Sequence, residues 1–393
     1  MLDSARARLK ASARSDVPPF MVMDVVEAAA RLEAAGRRVI HMEIGQPAAG
    51  APASAISAAR AALTSGGPIG YTQSLGLPSL RARIARHYAE RHSVDIDPGR
   101  IVITTGSSAA FMLAFLAILE TGDRIAVANP GYPPYSNVLS ALGCEAVPIE
   151  VSPGTRFAIA PGDLIAAHRE RPLKAVLVAS PANPTGTMMT EAALGALMRP
   201  ATEEGIAFIS DEIYHGLDYA FAAQTALAIS NDAIVINSFS KYFCMTGWRI
   251  GWMVVPDMLV RPIERLQQNL AISVPTLSQI AAEAAFEGCT EMEAVKHGYE
   301  ASRRLLIERL PRAGLASFPP MDGAFYLYAD VSAFCEDSFA FASRILQETG
   351  VAVTPGADFD RASGRRFIRL CYAGAATDVA EAVERIGDWL RRT

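Results

Sequence analysis

Between about residues 100 and 255 the chain repeats one pattern: a short apolar run rich in β-branched residues, a few polar residues, then a helical stretch. The apolar runs are 101–105, 124–128, 146–151, 175–179, 207–210, 234–237 and 252–255. Strands that are apolar on both faces have to be covered on both faces. That predicts an α/β fold whose mainly parallel seven-stranded sheet lies between helices. Such sheets bind ligands at the carboxyl ends of their strands, and the polar residues fall there. They read Gly106-Ser107-Ser108, Asn129-Pro130-Gly131-Tyr132, Ser180-Pro181-Ala182-Asn183, Asp211-Glu212-Ile213-Tyr214 and Ser238-Phe239-Ser240-Lys241. Five strand ends are therefore expected to meet at one crevice.

The flanks follow a different pattern. Residues 17–45 give a proline-rich entry (Val17-Pro18-Pro19-Phe20), an amphipathic helix over 24–35 and a strand over 38–43. After about residue 290 come a helix, the run Gly323-Ala324-Phe325-Tyr326-Leu327-Tyr328, a helix from Ser338, and a strand pair around 351–354 and 367–371. Both ends of the chain are expected to build one smaller α+β domain. Residues 1–45 then form an N-terminal arm and part of that domain, 46–285 the large domain, and 286–393 the rest of the small one. The apolar stretch around 260–290 is the expected connection.

Bulk properties bear on the class of function. With 393 residues, half of them hydrophobic, the chain can bury a large core. The net charge of 36 − 41 = −5 argues against a nucleic-acid or anionic-membrane surface. Five scattered cysteines without a C-x-x-C pair suggest neither a disulfide framework nor a zinc site. The longest apolar stretch, 109–119, is too short to span a bilayer. The first residues lead into an arginine-rich helical pattern without the apolar core of a secretory signal, so a cytoplasmic protein is expected.

The chemistry concentrates in Ser238-Phe239-Ser240-Lys241-Tyr242-Phe243-Cys244-Met245-Thr246-Gly247-Trp248-Arg249. A lysine at a strand end beside anion-binding groups suits an aldehyde cofactor held as a Schiff base. The serines and Arg249 suit a phosphate, the arginine as a bidentate donor. A strand followed by a solvated Lys/Arg loop is the alternative. Asp211 at the preceding strand end could keep a pyridine nitrogen protonated, with Tyr214 and Asn183 on a phenolic oxygen of the same ring. Taken singly, Asp211 is better read as a helix cap; taken with Lys241 at the next strand end, it is not. Gly106, Ser107 and Ser108 open a helix and form either a phosphate cradle or plain caps. Tyr132 sits in a proline-stiffened loop, where it stacks on a ring or anchors a turn. Arg369 lies in an alternating strand pattern and needs an anionic partner, either a substrate carboxylate or a structural ion pair.

Taken in order, these motifs join Glu43-Ile44-Gly45-Gln46-Pro47, Tyr71-Thr72-Gln73-Ser74-Leu75-Gly76, Ser180-Pro181-Ala182-Asn183-Pro184-Thr185-Gly186 and Gly323-Ala324-Phe325-Tyr326. Across nearly its whole length the chain resembles the pyridoxal-phosphate-dependent aminotransferases of class I/II, the aspartate aminotransferase superfamily with the fold-type-I architecture. The resemblance implies pyridoxal 5'-phosphate as cofactor, with Lys241 as Schiff-base lysine and proton carrier and Asp211 on the pyridine nitrogen. It places Tyr214 and Asn183 on the ring oxygen and Tyr132 on the ring face. Gly106, Ser107, Ser108, Ser238 and Arg249 would hold the phosphate. Arg369 would grip the substrate α-carboxylate beside the Gly45 backbone and Asn183. Tyr71 would reach the phosphate of a partner subunit, which implies a homodimer. Two departures stand near substrate-shaping regions: Asn269-Leu270-Ala271-Ile272-Ser273-Val274-Pro275-Thr276, where many relatives carry Thr-Ser-Asn before the proline, and Phe359-Asp360 where Phe-Gly is commoner.

The resemblance implies ping-pong transfer of an amino group from an L-amino acid to a 2-oxo acid such as 2-oxoglutarate. A cleft bordered by Phe20, Ile44, Tyr71 and Tyr132 suits an apolar or aromatic donor. A carbon–sulfur β-eliminating lyase on the same scaffold is the alternative. A transcription regulator with an aminotransferase-like body is disfavoured, because the resemblance starts near residue 17 and the charge is negative. Neither nucleic acid nor a membrane is expected as partner.

Overall fold

In the computed structural model, which describes residues 10–392, all seven β-branched runs pair into one sheet. The arginine-rich pattern at residues 1–9 lies outside the described residues. The chain begins with α1 (Met21–Ala34), β1 (Ile40–His41), α2 (Ala53–Thr64) and α3 (Pro78–His92). It then alternates β2 (Ile101–Thr104), α4 (Gly106–Ile118), β3 (Arg124–Asn129), α5 (Pro133–Leu142), β4 (Glu145–Glu150), α6 (Pro161–Glu170), β5 (Ala175–Ala179) and α7 (Glu191–Glu203). Strands β6 (Ala207–Asp211), β7 (Ile234–Ser238) and β8 (Gly251–Val254) follow without long helices between them. Helices α8 (Asp257–Leu270), α9 (Thr276–Ala285) and α10 (Cys289–Arg309) lead to β9 (Tyr326–Asp330) and α11 (Ser338–Thr349). The chain closes with β10 (Val351–Ala352), β11 (Thr354–Pro355), β12 (Phe367–Cys371) and α12 (Ala376–Leu390).

The large sheet has the order β2-β8-β7-β6-β5-β3-β4, parallel throughout except for β8, which is antiparallel to both neighbours. Strands β2, β7 and β8 are buried at every position and β5 at all but its last, as strands covered on both faces must be. From β3 the chain steps outward to β4 and then crosses back to β5 on the other side. The strand order therefore reverses between β3 and β5, and a crevice opens at their carboxyl ends. Tyr132 follows β3 and Asn183 follows β5, so both residues flank that point.

The flanks hold two smaller sheets, β11-β12-β9 and the parallel pair β1-β10. Three expectations change here. The strand expected over 38–43 pairs only at Ile40–His41, because β10 offers two residues. The run 351–354 does not pair as one piece with 367–371: Val351 and Ala352 join β1, while Thr354 and Pro355 join β12. The helix expected from residue 24 starts at Met21, where a distant carboxylate caps it. The stretch around 260–290 holds α8, packed on α4, and α9, packed on α2. Among the described residues no helix is long and apolar enough to cross a membrane.

Candidate active site

Strand register sets the floor of the crevice. Ala179, Asp211 and Ile236 lie side by side across β5, β6 and β7, and Lys241 follows three residues after β7 ends. A cavity of about 490 Å³ opens above them, lined by Gly45, Ser107, Ser108, Tyr132, Asn183, Asp211, Tyr214, Ser240, Lys241, Arg249 and Arg369. Residues from all five predicted strand ends thus share one space, joined by others from both flanks. Lys241 Nζ donates to the Gly45 carbonyl at 2.7 Å. Burial, with Arg369 and Arg249 nearby, lowers its pKa to about 8, so a sizeable fraction is free amine near neutral pH. Asp211 is buried; its Oδ1 accepts the Ile213 N–H at 3.1 Å and its Oδ2 accepts the Tyr135 hydroxyl. Burial raises its pKa to about 6 despite those donors. Tyr214 and Tyr326 share a hydroxyl–hydroxyl hydrogen bond of 2.7 Å, and burial holds both phenols in their neutral form.

One end of the cavity is built to receive an anion. Thr105 at the cap position of α4 makes no side-chain cap, so the helix presents its first N–H groups uncovered. Gly106 there has φ +73°, and a Cβ on it would meet Arg249 Nη2 at 2.5 Å. Gly251 lets the same loop lie against the sheet: a Cβ on it would sit 3.1 Å from Ser107 N. Arg249 itself is exposed and tied only by Nη1 to the Thr246 carbonyl at 3.0 Å. Ser238, expected among the phosphate ligands, lies directly behind the cavity-lining Ser240. Its Oγ lies 2.9 Å from Ser240 Oγ and 3.3 Å from the Ile250 carbonyl, and accepts the Ser240 N–H at 3.1 Å. Such a local turn engages a serine side chain, and Ser240 lines the cavity.

At the opposite side, Arg369 is 2% exposed, and among the described residues it has no ion-pair partner. Its Nη1 donates to Asn183 Oδ1 at 2.9 Å, and its Nη2 to the Glu43 carbonyl at 2.5 Å and Thr354 Oγ1 at 3.2 Å. The guanidinium lies between the Tyr326 and Phe359 rings, 4.5 and 4.6 Å from their centroids. Its Nε has no partner. A buried guanidinium held only by neutral acceptors still lacks an anion, so the structural ion-pair alternative has no support. Gly45 fits closely here, since a Cβ on it would collide with the Tyr326 hydroxyl.

Tyr71 does not line the cavity; the residue is 82% exposed. It therefore does not border the cleft of its own chain, which Phe20, Ile44 and Tyr132 do line. Two contributors escaped the sequence reading: Tyr135 on Asp211, and Tyr326 between Tyr214 and Arg369. Ser240 was one of the two serines read as suiting a phosphate. The two tyrosines carried no local signal.

Comparison with known proteins agrees with this geometry. The family described as aminotransferase class I and II matches residues 37–386. The chain belongs to that family. It is 49% identical to a valine–pyruvate aminotransferase of Mycobacterium tuberculosis over 96% of this chain and 97% of that protein. It is 35% identical to a (5-formylfuran-3-yl)methyl phosphate transaminase of Methanocaldococcus jannaschii, over 95% of this chain and 97% of that one. The crystal structure of an aminotransferase from Mycobacterium tuberculosis superposes with a TM-score of 0.95 at 48% identity, covering 98% of this chain and all of that one. The enzyme is an aminotransferase with the fold-type-I architecture, from a family that generally depends on pyridoxal phosphate, and the lyase alternative is not favoured.

Proposed function

We propose that the enzyme uses pyridoxal 5'-phosphate to move the amino group of an apolar L-amino acid to a 2-oxo acid by a ping-pong mechanism. The observation that carries this reading is one cavity holding Lys241, buried Asp211 and a buried Arg369 without an anion. The residues fit the cofactor on structural grounds: Gly106 leaves a space beside Arg249 that a Cβ would fill, and the N-terminus of α4 is uncapped. Asp211 is a buried acid without a cationic hydrogen-bond partner. When bound, the cofactor supplies an electron sink for the substrate Cα.

Ser107, Ser108, Ser240 and Arg249 would bind its phosphate. Asp211, ionised at neutral pH, would hold the ring nitrogen in its protonated form. Tyr214 and Asn183 would fix the ring oxygen, and Tyr132 the ring face. Lys241 Nζ, with its lowered pKa, would accept the substrate α-proton and return it. Arg369 would bind the α-carboxylate. Phe20, Val22, Met23 and Ile44 give the remaining wall an apolar surface.

That wall bears on the acceptor. Lys241, Arg249 and Arg369 are the cations lining the cavity among the described residues, and each has a role above. A second carboxylate finds no further cation of this chain, so a 2-oxo monocarboxylate such as pyruvate suits the site better than the 2-oxoglutarate expected earlier. The name of the mycobacterial relative, valine–pyruvate aminotransferase, supports this choice. A homodimer is part of the same reading: Tyr71, like Ile69, Leu270 and Ile272, is a large hydrophobic side chain left exposed, as a contact with a second copy would require. A monomeric native mass would refute the dimer.

The test is the visible spectrum of the cofactor-loaded protein with single amino acids. Valine, leucine, methionine or phenylalanine should bleach the internal cofactor band, and pyruvate should restore it. Faster bleaching by aspartate, or no bleaching at all, would overturn the reading.

A further inference from the structure

The first-turn N–H groups of a helix have no acceptors within the helix, and Phe20, at the cap position of α1, makes no side-chain cap. Asp358 supplies the acceptors from 337 positions away: Met21 N–H donates to its Oδ1 at 3.0 Å and Val22 N–H to its Oδ2 at 3.3 Å. The residue after Asp358 touches the substrate side of the cavity. Phe359 lies under the Arg369 guanidinium, and its carbonyl accepts the Gly131 N–H at 3.1 Å. Gly131 precedes Tyr132, whose ring meets Phe20 edge-on at 6.0 Å. Contacts therefore run in a closed circuit from α1 through Asp358 and Phe359 to Arg369 and Tyr132, and back to Phe20.

The helix has few other anchors. Its buried face packs into a small cluster of Val25, Ala29, Val39, Leu346 and Ala352, separate from the main core. Its first turn, with Phe20, Val22 and Met23, lines the cavity. The position of that apolar wall relative to Arg369 thus depends on the Asp358 cap.

We propose that Asp358 is a positioning residue for donor choice, capping α1 so that Phe20, Val22 and Met23 meet the side chain of an amino acid whose carboxylate is on Arg369. This rests on the functional reading above. A leucine side chain reaches the wall, whereas an alanine methyl does not, so the two donors report on the wall separately.

The experiment measures the half-reaction of the cofactor-loaded enzyme with leucine and with alanine. It uses wild type, Asp358→Asn, Asp358→Ala, Phe20→Ala and the double variant Phe20→Ala/Asp358→Ala. In Asp358→Ala the leucine-to-alanine ratio of kcat/KM should fall roughly fivefold to tenfold, the scale of a lost helix cap, through KM for leucine with kcat held. Asp358→Asn, which keeps one acceptor oxygen, should fall less, and it carries the test if the alanine variant does not fold. In the Phe20→Ala background the same change should add little. An equal fall for both donors, or a full fall on top of Phe20→Ala, overturns the role. A wild-type enzyme that bleaches with neither donor overturns the functional reading itself, and this role with it.

Discussion

The floor and the entrance of the cavity are built on different principles. The floor comes from one continuous stretch, residues 106–249, where each functional group sits at the end of a strand or the start of a helix. The entrance is assembled from segments hundreds of positions apart: α1, the turn at 356–359 and Arg369 on β12. The floor rests on a sheet buried on both faces; in the entrance β12 belongs to the main core, while α1 rests on a satellite cluster and one carboxylate. The proposed function then fixes the chemistry to the rigid part, and the proposed donor choice to the part with fewer contacts.

Breaking the floor should have the largest effect. Lys241→Ala should abolish turnover, because both the proposed covalent anchor and the proton carrier are lost; transamination at the wild-type rate would remove Lys241 from its role. Arg369→Ala tests the junction of the two regions. It should raise KM steeply, since a desolvated charge-assisted contact to a carboxylate is worth about 2–5 kcal/mol. An unchanged KM would place the carboxylate elsewhere.

The smallest effect sharpens the comparison through stability. Folding raises the Asp211 pKa from 3.8 to about 6, through burial. Between those values the folded state binds more protons than the unfolded one. Stability contributed by this group is therefore complete below about pH 4 and lost as pH rises through 6. Asp211→Asn should raise Tm of the cofactor-free enzyme at pH 7.5 by about 2–4 °C and leave it nearly unchanged at pH 4. With cofactor added, the wild type should gain more than the variant. Equal shifts at both pH values would show that Asp211 is not held as a strained acid.

What was legible in the sequence follows the same division. All seven strands of the large sheet could be read because apolar runs and their polar endings are local signals. The placement of Asp211, Lys241 and Ser107 in one cavity follows from that sheet. Ser238 was legible by its identity and place at the end of β7, but the contact of its hydroxyl with Ser240 in the turn it starts was not. Tyr135, Tyr326 and Asp358 could not be read. Their partners lie 76, 112 and 337 positions away, and no local pattern encodes a contact of that range. The short strands at Ile40–His41 and Val351–Ala352 were misjudged in length for the same reason, since each ends where its neighbour does.

The satellite cluster under α1 gives the enzyme two thermal thresholds. In that cluster Val39, Leu346 and Ala352 receive Val25 and Ala29 of the helix that shapes the entrance, while the strand ends carrying Lys241 and Asp211 belong to cores many times larger. On heating, α1 should loosen as a separate unit before the sheet melts. If α1 sets donor choice as proposed, an enzyme warmed into that interval should keep its chemistry but no longer tell leucine from alanine, its fidelity failing at a lower temperature than its fold.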